Sequence, residues 1–72
     1  MIKLEGKIIN RRPDGLYEVE FEKNNKKIQL VCYISGRWKY RYRNLRLMVG
    51  DRVLVELNPY DKNKGKIIRK LR

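Results

Sequence analysis

Four stretches of this chain alternate apolar with polar residues along all or part of their length, and a period of two predicts strands. The cleanest runs from Leu16 to Glu22, where Tyr17, Val19 and Phe21 alternate with Glu18, Glu20 and Glu22. Ahead of it, Leu4 to Ile9 sets Leu4, Gly6 and Ile8 on one face and Lys3, Glu5 and Lys7 on the other. Lys27 to Ile34 is predicted to turn Ile28, Leu30, Cys32 and Ile34 inward. Arg52 to Asn58 does the same with Val53, Val55 and Leu57, leaving Leu54 and Glu56 outside, and Lys66 to Arg69 makes a short last strand.

Turn chemistry separates these runs. Pro13-Asp14-Gly15 combines the fixed φ of proline, a side-chain acceptor and a residue free to take positive φ. Lys23-Asn24-Asn25-Lys26 reads as a polar hairpin loop, Val49-Gly50-Asp51-Arg52 as a tight turn, and Pro59 to Gly65 as a loop. Gly6 inside a strand predicts a bend or bulge, which a first strand shared by both halves of a small barrel requires. Residues 35–47 break the alternation. Ser35 suits a helix N-cap, but Gly36 and the aromatic residues limit any helix to a short one or a 3-10 turn. The expected fold is therefore all-β: a five-stranded oligonucleotide-binding (OB) barrel with that short helix or turn between strands three and four. An SH3-like barrel has similar ingredients; the placement of the long linker and the glycine in the first strand favour the former.

With 72 residues the chain makes one domain, 1–72, with a small core and no room for a deep cavity. Charge changes the picture most. Nineteen Lys and Arg face eight Asp and Glu, a formal net charge of +11. The excess is concentrated in residues 35–72, where twelve bases meet only Asp51, Glu56 and Asp61. Such a field calls for a polyanionic partner. No apolar run approaches the roughly 20 residues of a membrane span, so no membrane partner is expected.

The candidate chemistry sits in the linker. From Arg37 to Arg43 cations and rings alternate as Arg37, Trp38, Lys39, Tyr40, Arg41, Tyr42 and Arg43, and Arg46 follows. Cations neutralise phosphates and rings stack on bases, a combination suited to RNA with exposed bases. Lys62, Lys64, Lys66 and Arg69 extend the candidate RNA-binding set. Trp38 is read either as a stacking platform or as a lid on the barrel, and Tyr60 either as an RNA contact or as packing on the barrel end. Tyr17 is assigned to the core. Arg11 and Arg12 form a lesser RNA candidate or a solvated turn. There is no histidine to act as a base near neutral pH, and one cysteine cannot make a zinc site. No catalytic residue, metal or cofactor is expected. Cys32, within an apolar run, reads as a small core hydrophobe and not a reactive thiol.

Ile34-Ser35-Gly36-Arg37, then Leu45-Arg46-Leu47, Gly50-Asp51-Arg52-Val53, Val55-Glu56-Leu57, Pro59-Tyr60-Asp61 and Gly65-Lys66-Ile67-Ile68 occur in an order that resembles the bacterial and plastid type of translation initiation factor one. Gly6-Lys7-Ile8 and Pro13 through Phe21 fit the same register. The resemblance implies an S1-like OB barrel that acts without catalysis. It also implies binding to rRNA at the decoding A site of the small ribosomal subunit, and work with the other initiation factors beside a small-subunit ribosomal protein. A monomer in the bacterial cytoplasm or the plastid stroma is expected. Arg37, Arg46, Lys66 and Arg69 stand at positions of the family's rRNA-contacting bases, with Lys66 where arginine is common. Two departures are visible: Lys23 to Lys27 and Arg37 to Asn44 are both longer than usual. The alternative function is a general single-stranded RNA binder or RNA chaperone of the cold-shock or S1 type. A structural ribosomal protein is a third.

Overall fold

Every strand of the molecule finds two neighbours, and the sheet closes on itself. A computed structural model describes residues 2–34, 36 and 47–71, with residues 61–63 described as backbone only. The strands are β1 (Ile2–Arg11), β2 (Tyr17–Lys23), β3 (Lys26–Ile34), β4 (Arg52–Asn58) and β5 (Asp61–Lys70). They form a closed barrel in the order β1-β2-β3-β5-β4. All pairs are antiparallel except β3 with β5, which is parallel. The expectation of a short helix or 3-10 turn falls on residues outside this description.

Closure depends on β1 serving two partners. Its first half pairs with β4 from Ile2↔Leu57 to Lys7↔Arg52, and its second half pairs with β2 from Lys7↔Glu20 onward. The bulge predicted at Gly6 lies instead at Ile9, where the register steps from Ile8↔Val19 to Asn10↔Glu18. Gly6 has another cause. A Cβ there would sit 2.5 Å from Val19 Cγ1 and 2.8 Å from Phe21 Cε1, so glycine lets the ring lie against the backbone. Gly65 does the same across the barrel, with Val55 Cγ1 2.5 Å and Cys32 Sγ 3.0 Å from the position of an added Cβ.

The core is Ile8, Val19, Phe21, Cys32, Leu47, Val53, Val55 and Ile67, with Leu4, Tyr17, Leu30, Ile34 and Leu57 packed around it. Tyr17 is therefore a core residue, as expected. Leu47, fully buried, was not anticipated, because it follows a stretch without alternation. Ile28 corrects the inward assignment: it is 49% exposed. The reason is length. β3 meets β5 only from Val31, so the hairpin of β2 and β3 outruns the barrel and Ile28 has nothing opposite to pack on.

Turns follow the sequence chemistry with two corrections. Gly15 (φ +84) and Gly50 (φ +98) take the left-handed conformation predicted for them. The Asp14 carboxylate accepts the Leu16 N–H at 3.1 Å, and Asp51 accepts the Met48 N–H at 2.9 Å. The 48–51 turn is fastened to β1 by Gly50 N–H to Ile8 O at 2.8 Å and Ile8 N–H to Asp51 O at 2.9 Å. The hairpin loop is tighter than predicted. Asn24 (φ 52) and Asn25 (φ 63) alone make the turn, as a two-residue connection with both centres left-handed requires, and Lys23 pairs with Lys26. The loop expected from Pro59 to Gly65 is mostly strand, since Asn58 already pairs with Asp61. Asn58 Oδ1 accepts the Tyr60 N–H at 2.9 Å and closes the reversal at once.

Candidate nucleic-acid interface

Strand β5 carries the basic face, and its neighbours decide which way each side chain points. Gly65 and Ile67 are buried, so Lys64 and Lys66 stand on the outer wall. Strict alternation would then turn Arg69 inward. A bulge prevents this: the register steps from Leu54↔Arg69 to Val55↔Ile67, leaving Ile68 without a partner in that ladder. Arg69 thus lies opposite the outward Leu54 and is exposed. The extra residue puts three cations on one wall.

The parallel pairing adds a ring to them. Tyr33 of β3 is the partner of Lys66 and is 38% exposed. Continuing across the wall, Lys66 partners Glu56, and Glu56 partners Lys3, so one carboxylate stands between two lysines. On the other side β3 divides the wall by charge. Val31 has Lys64 as its β5 partner and Glu18 as its β2 partner. Glu18, Glu20 and Glu22 of β2 thus face away from the cations of β5. Among the described residues, ion pairs occupy Arg12 with Asp14 at 3.0 Å, Arg52 with Glu5 at 3.0 Å and Lys70 with Asp51 at 3.6 Å. None of these pairs involves Lys64, Lys66 or Arg69.

Strand directions sort the loops into two ends. The start of β1, the β2–β3 turn and the β4–β5 turn lie at one, the hairpin end. The β1–β2 turn, the 48–51 turn, the end of β5 and both residues flanking 35–46 lie at the other, the loop end. The flanks are firmly held, Ile34 as the partner of Ile67 and Leu47 by complete burial. Arg37, Trp38, Lys39, Tyr40, Arg41, Tyr42, Arg43 and Arg46 themselves lie outside the described residues, as does the side chain of Lys62. The β4–β5 turn and the flanking residues Ile34 and Leu47 are therefore at opposite ends, with the outer face of β5 running between them.

Tyr60 does not pack on the barrel end. It is 96% exposed at the tip of the β4–β5 turn, and the Asn58 hydrogen bond fixes its backbone. Arg12 is engaged by Asp14, whereas Arg11 is exposed on β1 at the loop end. Tyr33 is the residue that sequence reasoning missed. Alternation puts it outside, but only the parallel β3–β5 register sets it beside Lys66. Cys32 is buried, and burial pushes its thiol up to about 12, a hydrogen bond with the Gly65 backbone pulling the other way. It is an inert core residue. Among the described residues no group of three His, Cys, Asp or Glu is placed to hold a metal ion.

A closed five-stranded barrel with a basic wall narrows the comparison with known proteins. The family model for translation initiation factor 1A / IF-1 matches residues 3–72. The chain belongs to this family of translation initiation factors. Among solved structures it is similar to the solution structure of translation initiation factor one from the Wolbachia endosymbiont strain TRS of Brugia malayi. That match has 36% identity and a TM-score of 0.70, over 99% of this chain and 78% of that one. It is also similar to YjeQ from Thermotoga maritima (27% identity, TM-score 0.70), covering 99% of this chain but 23% of that one. YloQ, a circularly permuted GTPase, shares the fold at 24% identity and a TM-score of 0.77, with 99% and 23% covered. The initiation-factor barrel thus matches most of a whole factor, while in the other two it matches one part of a much longer chain.

Proposed function

We propose that the protein binds rRNA at the decoding A site of the small ribosomal subunit and acts by occupancy, assisting assembly of the initiation complex with the other initiation factors. The observation that carries this reading is the wall formed by Lys64, Lys66 and Arg69 beside Tyr33, within a barrel of the initiation-factor family. Cations there neutralise phosphates, and Tyr33 offers a ring edge to a neighbouring base. Arg37, Trp38, Lys39, Tyr40, Arg41, Tyr42, Arg43, Arg46 and Lys62 belong to the same interface by their chemistry, and the exposed Tyr60 extends it at the hairpin end. Direct catalysis has no part in this mechanism. A basic solid of fixed shape fills an RNA site and excludes another ligand from it. The protein works as a monomer, in the bacterial cytoplasm or a plastid stroma, with a small-subunit ribosomal protein as a neighbour.

Tyr33 also favours a second reading, a general single-strand RNA binder, because that class sets aromatic residues on strand faces beside cations. Equilibrium binding to small ribosomal subunits, in moderate salt with excess unstructured RNA, separates the two. Saturable one-to-one binding that survives the competitor supports the dedicated site. Binding lost to the competitor favours the second reading.

A further inference from the structure

The tip of the β2–β3 hairpin belongs to no part of the interface described so far. Its pairing is its own. β2 meets β1 only up to Glu20, and β3 meets β5 only from Val31, so Phe21–Lys23 and Lys26–Leu30 pair with each other alone. Every residue from Glu22 to Gln29 is exposed, on both faces of the ribbon. A two-stranded ribbon with both edges in water gains little from folding. Its charges make matters worse for the fold. Lys23 and Lys26 are direct partners on one face, where like charges repel, while Lys27 stands on the other face opposite Glu22. The exposed Ile28 lies on the same face as Lys23 and Lys26. The turn nevertheless holds its shape through two left-handed asparagines. Beyond Phe21 and Leu30, which pack on the core, the exposed tip from Glu22 to Gln29 adds no buried residue to the barrel. A polyanion would gain, since it relieves the repulsion and the arm is already ordered when it arrives.

We propose that the β2–β3 hairpin is a second RNA-binding arm, gripping a backbone segment with Lys23, Lys26 and Lys27 at the end of the molecule opposite Ile34 and Leu47. The arm rests on the proposed small-subunit function and adds to it a separate contact. Its ligand is a sugar-phosphate strand, recognised by charge and not by base sequence, because the ribbon tip carries no aromatic residue.

The test compares the wild type with the variant K23Q/K26Q/K27Q on small ribosomal subunits across a salt series. The slope of log affinity against log salt should become shallower by about 2, from three contacts at roughly 0.7 each. Thermal stability should hold or rise, since the repulsive pair is gone. A hydroxyl-radical probe tethered at Lys27→Cys should cut one rRNA segment. The buried Cys32 leaves the new thiol as the site of attachment. An unchanged slope, or weaker binding at the same slope, overturns the proposal, the latter pointing to a protein partner; so does absence of rRNA cleavage. If the wild type itself fails to saturate small subunits, the parent function falls. If it saturates them and the variant keeps its slope, only the arm falls.

Discussion

Gly65 shows how much a single missing side chain can decide. The position an alanine Cβ would take lies 2.5 Å from Val55 Cγ1 and 3.0 Å from Cys32 Sγ, both on buried strands that cannot easily retreat. Gly65→Ala should destabilise the fold by about 1–3 kcal/mol, measured by urea unfolding. Cys32, on the other side of that contact, links stability to alkaline pH. Its pKa is raised in the folded chain, from an ordinary 9.0 to about 12, so the folded state favours the protonated thiol. The contribution is whole below pH 9, shrinks as pH rises above it, and is lost through the folded value near 12. Unfolding curves of the wild type and Cys32→Ala should therefore converge between pH 9 and 12. Tyr60 makes the opposite case, a large ring that the fold does not use. Tyr60→Ala should leave the melting temperature unchanged and weaken subunit binding by about 1–3 kcal/mol if the ring stacks on a base. Equal affinity would remove Tyr60 from the interface.

At the level of elements, what the sequence disclosed depended on where each strand ends. Alternation located four of the five strands, Lys66 to Arg69 being placed without it, and the 16–22 run marked its core residues correctly, because Val19 has a strand on each side and Phe21 lays its ring against Gly6. It failed at Ile28, whose pattern is just as regular, because periodicity says which face a residue takes but not whether another strand lies opposite. The stretch 61–65 read as loop for a related reason. Its inward position is a glycine, chosen for lack of bulk, so no apolar residue announces the strand. Tyr33 went unnoticed because its partner Lys66 comes from a parallel pairing between strands distant in sequence. Arg69 was chosen on charge and family register, yet its exposure depends on the Ile68 bulge, which no local signal marks. Pairing limits also predict dynamics. Amides of Glu22–Gln29 should exchange with solvent well before those of Val53 and Val55, which lie between two ladders. Equal protection would mean the ribbon is held by something beyond its own hydrogen bonds.

The whole molecule is a basic body with most of its acids set apart from the β5 wall, Glu56 between Lys66 and Lys3 excepted. Of eight carboxylates, Glu18, Glu20 and Glu22 occupy β2, while Asp14, Glu5 and Asp51 are drawn into ion pairs with Arg12, Arg52 and Lys70. This leaves Lys64, Lys66 and Arg69 of the β5 wall in excess over the carboxylate beside them, Glu56. If about six cations meet phosphates, log affinity for small subunits should fall against log salt with a slope of about −4 to −5 at roughly 0.7 per contact. A slope near zero would remove electrostatics from the mechanism. The closure of the barrel carries a further consequence, for how such a chain changes over evolution. Because β1 must reach β4 with one half and β2 with the other, a residue gained or lost within a strand would shift two seams at once. The ring therefore acts as a ruler on its own sequence. Added length is tolerated where no second seam crosses, as at the hairpin tip from Glu22 to Gln29.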